Sequence, residues 1–111
     1  MDTQLEYRKL IKKIISEYAA LKPAHGEIDS RPIFDDEQGS YALLQTGWDS
    51  RRYIHGTVIH IDLIGDKIWI QYDGTETGIA NELAEAGVPK NRIVLGFRSE
   101  KLRPYTEFAT G

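Results

Sequence analysis

The run from Tyr53 to Asp73 constrains this sequence more than any other, because two β-rich stretches flank Gly65-Asp66, a dipeptide that closes tight hairpins. Counting outward from that loop pairs Leu63 with Ile68, Ile61 with Ile70 and Ile59 with Tyr72, all apolar and all on one face. The other face receives Ile64 with Lys67, Asp62 with Trp69, His60 with Gln71 and Val58 with Asp73, a mixed and mostly polar set. A one-residue slip would pair the apolar set of one strand with the polar set of the other, so the separation supports both the hairpin and its loop. A lone hairpin is marginal in water, and the apolar face needs cover.

The first helix supplies it. Tyr7, Leu10, Ile11, Ile14, Ile15, Tyr18 and Leu21 recur at spacings of three and four, with Glu6, Lys9, Lys12, Lys13 and Glu17 mainly between them. This predicts an amphipathic helix over roughly residues 4–21, capped by Asp2 or Thr3 and ended by Pro23. Residues 24–32, with His25, read as a loop, and Ile33-Phe34 as a short strand. Asp35 to Gly39 reads as a charged turn, Tyr41 to Thr46 as a strand and Gly47-Trp48-Asp49-Ser50 as the next turn.

Beyond the hairpin, Thr75 or Thr77 is placed to cap a shorter helix through Gly78 to Ala86, with Gly87 at its C-terminal end. Ile79 and Leu83 then face the core, and Glu82 and Glu85 face water. Ile93 to Phe97 reads as a last β-rich run, and the aromatics Tyr105 and Phe108 predict a docked tail. The expected fold is α+β: an antiparallel sheet of about four to five strands around a central hairpin, packed on one face by the N-terminal helix and the shorter second helix.

A chain of 111 residues is the size of one domain, so a single domain over residues 1–111 is expected. With 41% hydrophobic residues it has the material for a core without staples. It has no cysteine, which excludes disulfides and thiolate metal sites and fits the reducing cytoplasm. The start lacks a secretory signal, and no apolar run reaches the length of a membrane span. The net charge of −3 disfavours strong independent DNA binding. Arg51 and Arg52, together with Arg98, Lys101 and Arg103, are the residues that would contact nucleic acid if a local basic patch exists.

The foremost candidate site is His60-x-Asp62, an imidazole and a carboxylate on one side of a strand, with Gln71 and Trp69 opposite. In chemical terms it would be an oriented general base or the start of a metal site; in plain structural terms it is a polar pair on a half-exposed face, or part of a protein contact. No nucleophile or third ligand is identifiable nearby, so no catalytic residue, metal or cofactor is assigned. By strand parity His55 points away from His60. Asp62 lacks the acidic-x-lysine partner of the PD-(D/E)xK nucleases, and the common nucleotide, zinc and hydrolase motifs are missing. Gly74 to Gly78 would offer amides to an anion, but Glu76 and Asp73 would repel it.

Several runs resemble one family: Gly47-Trp48-Asp49, Ile54-His55-Gly56-x-x-Ile59-His60-x-Asp62, Lys67 through Glu76, Gly78 through Leu83, Val94 through Phe97 and Tyr105 through Ala109. They look like the XisI family, the fdxN element excision controlling factors, chiefly cyanobacterial. The resemblance implies a role with a companion XisH protein and the recombinase XisF in excising a DNA element during heterocyst development. XisH-like proteins resemble restriction-type nucleases, so cutting chemistry would belong to the partner. The expectation is therefore a non-enzymatic accessory factor that binds a XisH-like protein through the mixed sheet face of His60, Asp62, Trp69 and Gln71. Direct DNA binding as a directionality factor, an enzyme centred on His60 and Asp62, and a homodimer through the open sheet face are the competing readings.

Overall fold

A computed structural model describes residues 3–21 and 27–111. Asp2, Pro23 and His25, invoked above for the helix ends and the loop, lie outside the described residues. Helix α1 (Thr3–Ala19) is followed by a meander of β1 (Glu27–Asp35), β2 (Ser40–Asp49), β3 (Arg52–Ile64) and β4 (Lys67–Asp73). Helix α2 (Ile79–Glu85) then leads into β5 (Ile93–Leu95). The sheet order is β1-β2-β3-β4-β5, antiparallel through β4, with β5 parallel to β4. The parallel last strand follows from α2, since strands in one direction need a crossover between them.

Both helices lie on one face, here called the inner face. Tyr7, Ile11, Ile14 and Ile15 of α1 pack against Tyr41, Leu43, Ile59, Ile61, Leu63, Ile68 and Ile70 of the sheet, and Ile79 and Leu83 of α2 complete the core with Ile93. The hairpin register near the loop is the one counted from the sequence, with Leu63 opposite Ile68 and Ile61 opposite Ile70. Gly65 has φ +61° and Asp66 has no positive φ, as in a II′ turn with glycine first.

Farther from the loop the register departs from that count. Gln71 is an unpaired bulge residue, so His60 faces Tyr72 and Ile59 faces Asp73. Tyr72 thereby leaves the core face and is half exposed, while Asp73 moves to the parity of buried Ile59. A second bulge lies on β3: Leu43 pairs with Ile59 and Leu44 with Thr57, leaving Val58 unpaired. An extra residue reverses the alternation beyond it, so His55 shares the face of His60 instead of opposing it.

Other boundaries also differ. The stretch read as a loop is mostly strand, since β1 pairs from Glu27 to Asp35 with β2 from Trp48 to Ser40. As an edge strand it buries none of its residues, so it carries no clear alternation to read. Gly47 and Trp48 belong to β2, and the turn is Ser50-Arg51, with Ser50 at φ +57°. Gly47 is in the strand because β1 crosses closely there; a Cβ would run into the Glu27 carbonyl. The tail docks as expected in part: Ala109 donates its amide to the Ile93 carbonyl at 2.8 Å and Phe108 packs on the core, whereas Tyr105 is exposed.

Two polar clusters fasten the layers. The Tyr41 hydroxyl donates to Asp36 at 2.8 Å and Lys12 of α1 reaches the same carboxylate at 2.6 Å, tying helix, turn and sheet. These hydrogen bonds, that from Lys12 foremost, hold the Asp36 carboxyl below its ordinary range, while burial and the Asp36 hydrogen bond push the Tyr41 hydroxyl up to about 12. The second cluster is Asp73, which accepts the amide of Thr75 at 2.9 Å, its hydroxyl at 2.6 Å and the amide of Ile79 at 2.7 Å. Asp73, and not the side chain of Thr77, thus organises the entry to α2.

Two measurements check these attributions. Asp73→Ala is expected to lower unfolding stability by about 1–3 kcal/mol and Thr77→Ala by less than about 0.5, both read from urea denaturation. Tyr41 holds its proton more tightly folded (about 12) than unfolded (10.0), so its contribution is complete below pH 10 and lost as pH rises towards 12. Wild-type protein should lose on the order of 2–3 kcal/mol across that window that Tyr41→Phe does not.

Candidate functional site

The face of the sheet turned away from the helices carries His60, Asp62, Trp69 and Gln71, the candidate site residues of the hairpin, but not Asp73. Register places its residues in rows across the strands. One row reads Asp35, Ser40, Asp62 and Trp69, and the next reads Ile33, Ala42, His60 and Tyr72. Beyond the Val58 bulge, Thr46 lies beside His55 and Trp48 beside Tyr53. Among the described residues this outer face is open over β1 to β3 and at Tyr72 of β4.

Asp62 is the centre of its polar network. One carboxylate oxygen accepts the Ser40 hydroxyl at 2.7 Å and contacts His60 Nε2 at 3.1 Å, and the other accepts the Gln71 amide at 3.2 Å. Three strands thus converge on one carboxylate. The His60 side chain is 41% exposed and that of Asp62 22%, so the imidazole is available at the surface while the carboxylate sits beneath its donors. Although serine, histidine and aspartate meet here, the hydroxyl donates to the carboxylate and not to the imidazole, which differs from the order that activates a nucleophile. Among the described residues no three His, Asp or Glu side chains converge to hold a metal ion.

Gln71 reaches Asp62 because it is the bulge residue, and its side-chain carbonyl lies against Gly96, where an added Cβ would come within 2.5 Å. Trp69 is partly covered, since the Arg103 guanidinium sits 5.1 Å from the centroid of its ring. Arg103 also donates to the backbone carbonyls of Arg98 and Thr110, which holds the C-terminal segment in place. The guanidinium therefore has structural partners of its own. Arg98 lies over Phe97, and Lys101 is exposed in the same segment. Arg51 on the β2–β3 turn and Arg52 at the start of β3 are at the opposite end of the sheet, so the basic residues form two separate groups.

What the sequence reading missed is the apolar part of this face. Ile33, Trp48, Tyr53 and Tyr72 are each at least half exposed, and Trp48 packs on Tyr53 with ring centroids 5.0 Å apart. The ring of His55 stacks on Tyr53, whose hydroxyl pairs with Thr46 at 2.9 Å. The sequence pattern places Trp48 in a turn and Tyr72 in the core. A strand running on through Gly47 and a bulge at Gln71 put them here.

Comparison with known proteins bears on this geometry. The XisI protein family matches residues 1–110. The crystal structure of a XisI-like protein from Anabaena variabilis ATCC 29413 is 32% identical, with a TM-score of 0.90 over 97% of this chain and 99% of that one. The crystal structure of the fdxN element excision controlling factor XisI from the same organism is also 32% identical, with a TM-score of 0.85 over 99% of this chain and 100% of that one. Curated protein sequences give no significant match. With its sheet order, its two helices and nearly its whole length accounted for, this chain belongs to the XisI family.

Proposed function

We propose that this chain is a non-enzymatic, cytoplasmic accessory factor in the excision of a DNA element, and that it acts by docking a protein partner on its outer sheet face. The excision role is supported by the end-to-end likeness to the fdxN element excision controlling factor. The docking role is carried by one observation: Ile33, Trp48, Tyr53 and Tyr72 stand half or more exposed on one open face around a network that is already satisfied. Large aromatic side chains beside a rigid polar centre are the usual anchors of a protein interface. The partner that best fits is a XisH-like protein, with the recombinase recruited through the pair.

The arrangement of Asp62 supports a non-catalytic reading, because its oxygens serve Ser40, His60 and Gln71 and no hydroxyl is set against the imidazole. Direct DNA binding draws less support: the basic residues fall into two groups and Arg103 is engaged with Trp69.

The test is co-purification with the XisH-like protein of the same genome, followed by calorimetry. Trp48→Ala and Tyr72→Ala should each weaken the complex by about 2 kcal/mol, roughly thirtyfold, while Arg51→Ala with Arg52→Ala should leave it nearly unchanged. Failure to associate at micromolar concentration would overturn the partner model. A shift of element-border DNA by this chain alone, weakening steeply with salt, would replace it with direct DNA binding.

A further inference from the structure

The helical layer has a surface of its own, on the side of the sheet opposite the outer face. Leu10, Ile14 and the pair Glu17 and Tyr18 recur at spacings of three and four on the side of α1 that faces α2, and Leu21 stands two residues past the end of the helix. Two concavities of about 280 and 300 Å³ lie along the seam between the helices. The two concavities adjoin at Glu17 and Glu82, which line both. From Leu10 to Tyr18 the seam follows α1 for about 12 Å, roughly two turns of a helix.

Its chemistry is uneven. Leu10, Ile14 and Ala86 give the floor an apolar surface, and Leu21 stands 64% exposed at one end. Glu17, Glu82 and Glu85 form the rim, with Lys13 as the cation among them. Glu82 accepts the Tyr18 hydroxyl at 2.5 Å, which joins the two helices. Neither Glu17 nor Glu85 has an ion-pair or hydrogen-bond partner among the described residues. Glu85 is also the last residue of α2, where the carbonyl end of the helix adds to the negative potential and no basic residue offsets it.

We infer that this seam is a second docking groove, suited to a cationic amphipathic helix of a partner protein. Apolar residues of such a helix at i and i+4 would lie on Leu10 and Ile14, with a further one about two turns on near Leu21, and lysines or arginines on its flanks would meet Glu17 and Glu85. Because the groove and the outer face are on opposite sides of the sheet, both can be filled at once, which would let one small chain hold two proteins together. The groove does not depend on the outer face being an interface.

The probe is a fluorescein-labelled synthetic peptide that forms an amphipathic helix of leucines on one side and lysines on the other, with a scrambled peptide of the same composition as control. Anisotropy titrations should show micromolar binding of the helical peptide and much weaker binding of the scrambled one. Glu17→Lys with Glu85→Lys, both exposed, should weaken binding by about tenfold or more, and Leu21→Ala by several-fold. Trp48→Ala, on the other face, should leave it unchanged, so loss of this groove and loss of the outer-face interface are read separately. Thermal unfolding checks that the variants remain folded. Equal binding of the scrambled peptide, or of the doubly charge-reversed protein, would overturn the inference.

Discussion

Two unpaired residues, Val58 on β3 and Gln71 on β4, decide which side of the sheet their neighbours occupy. Strand side chains alternate with a period of two, so one extra residue sends every later side chain to the opposite face. The bulges flank the Ile59–His60 step from both sides. Between them and the Gly65 turn the strands keep strict alternation, and that is where the core is most completely buried. Outside them, aromatic residues emerge on the open face and Asp73 turns inward to meet the start of α2.

The sheet therefore has two faces of different character. The inner one is aliphatic and closed by α1 and α2. The outer one has a polar centre with exposed aromatic residues around it, held in place because Ser40, His60 and Gln71 share one carboxylate. Such a centre resists burial against a purely apolar partner, since its groups are satisfied internally while the imidazole remains at the surface. The C-terminal segment limits this face on the β4–β5 side, where Arg103 rests on Trp69 and Gly96 packs on Gln71. Among the described residues the area over β1 to β3 and the Tyr72 end of β4 remains open, and the candidate surface moves from Trp69 towards Tyr72, Tyr53 and Trp48.

The helices are fastened to the sheet by more than apolar contact. Asp36 receives Lys12 from α1 and Tyr41 from β2, and Gly39, at φ +71°, accepts the Leu63 amide at 2.7 Å, so the β1–β2 turn is anchored to both layers. A Cβ at Gly39 would stand 2.8 Å from the Leu63 carbonyl, which is why this buried turn position is glycine. Tyr18 and Glu82 do similar work between the two helices.

Local pattern was enough for much of this. The three-and-four spacing of Tyr7 to Tyr18, the Gly65-Asp66 loop with its nearest four pairs, and the Ile79 and Leu83 face of the second helix were all legible, because each depends on contacts within a few residues or across one turn. The runs shared with the XisI family were legible for the same reason, being strings of residues. The extent of β1 was not, since an edge strand with no buried residue alternates only between exposed and half-buried, and only as far as Arg31. Nor were the positions of Tyr72, Asp73 and His55, because a bulge is set by how three strands and a helix fit together and leaves no period in the sequence. Residue patterning by itself determined the elements, the central hairpin and the inner core. Tertiary structure alone decided which aromatics face outward and which donors meet on Asp62, because that choice depends on a register shift stabilised by contacts distant along the chain.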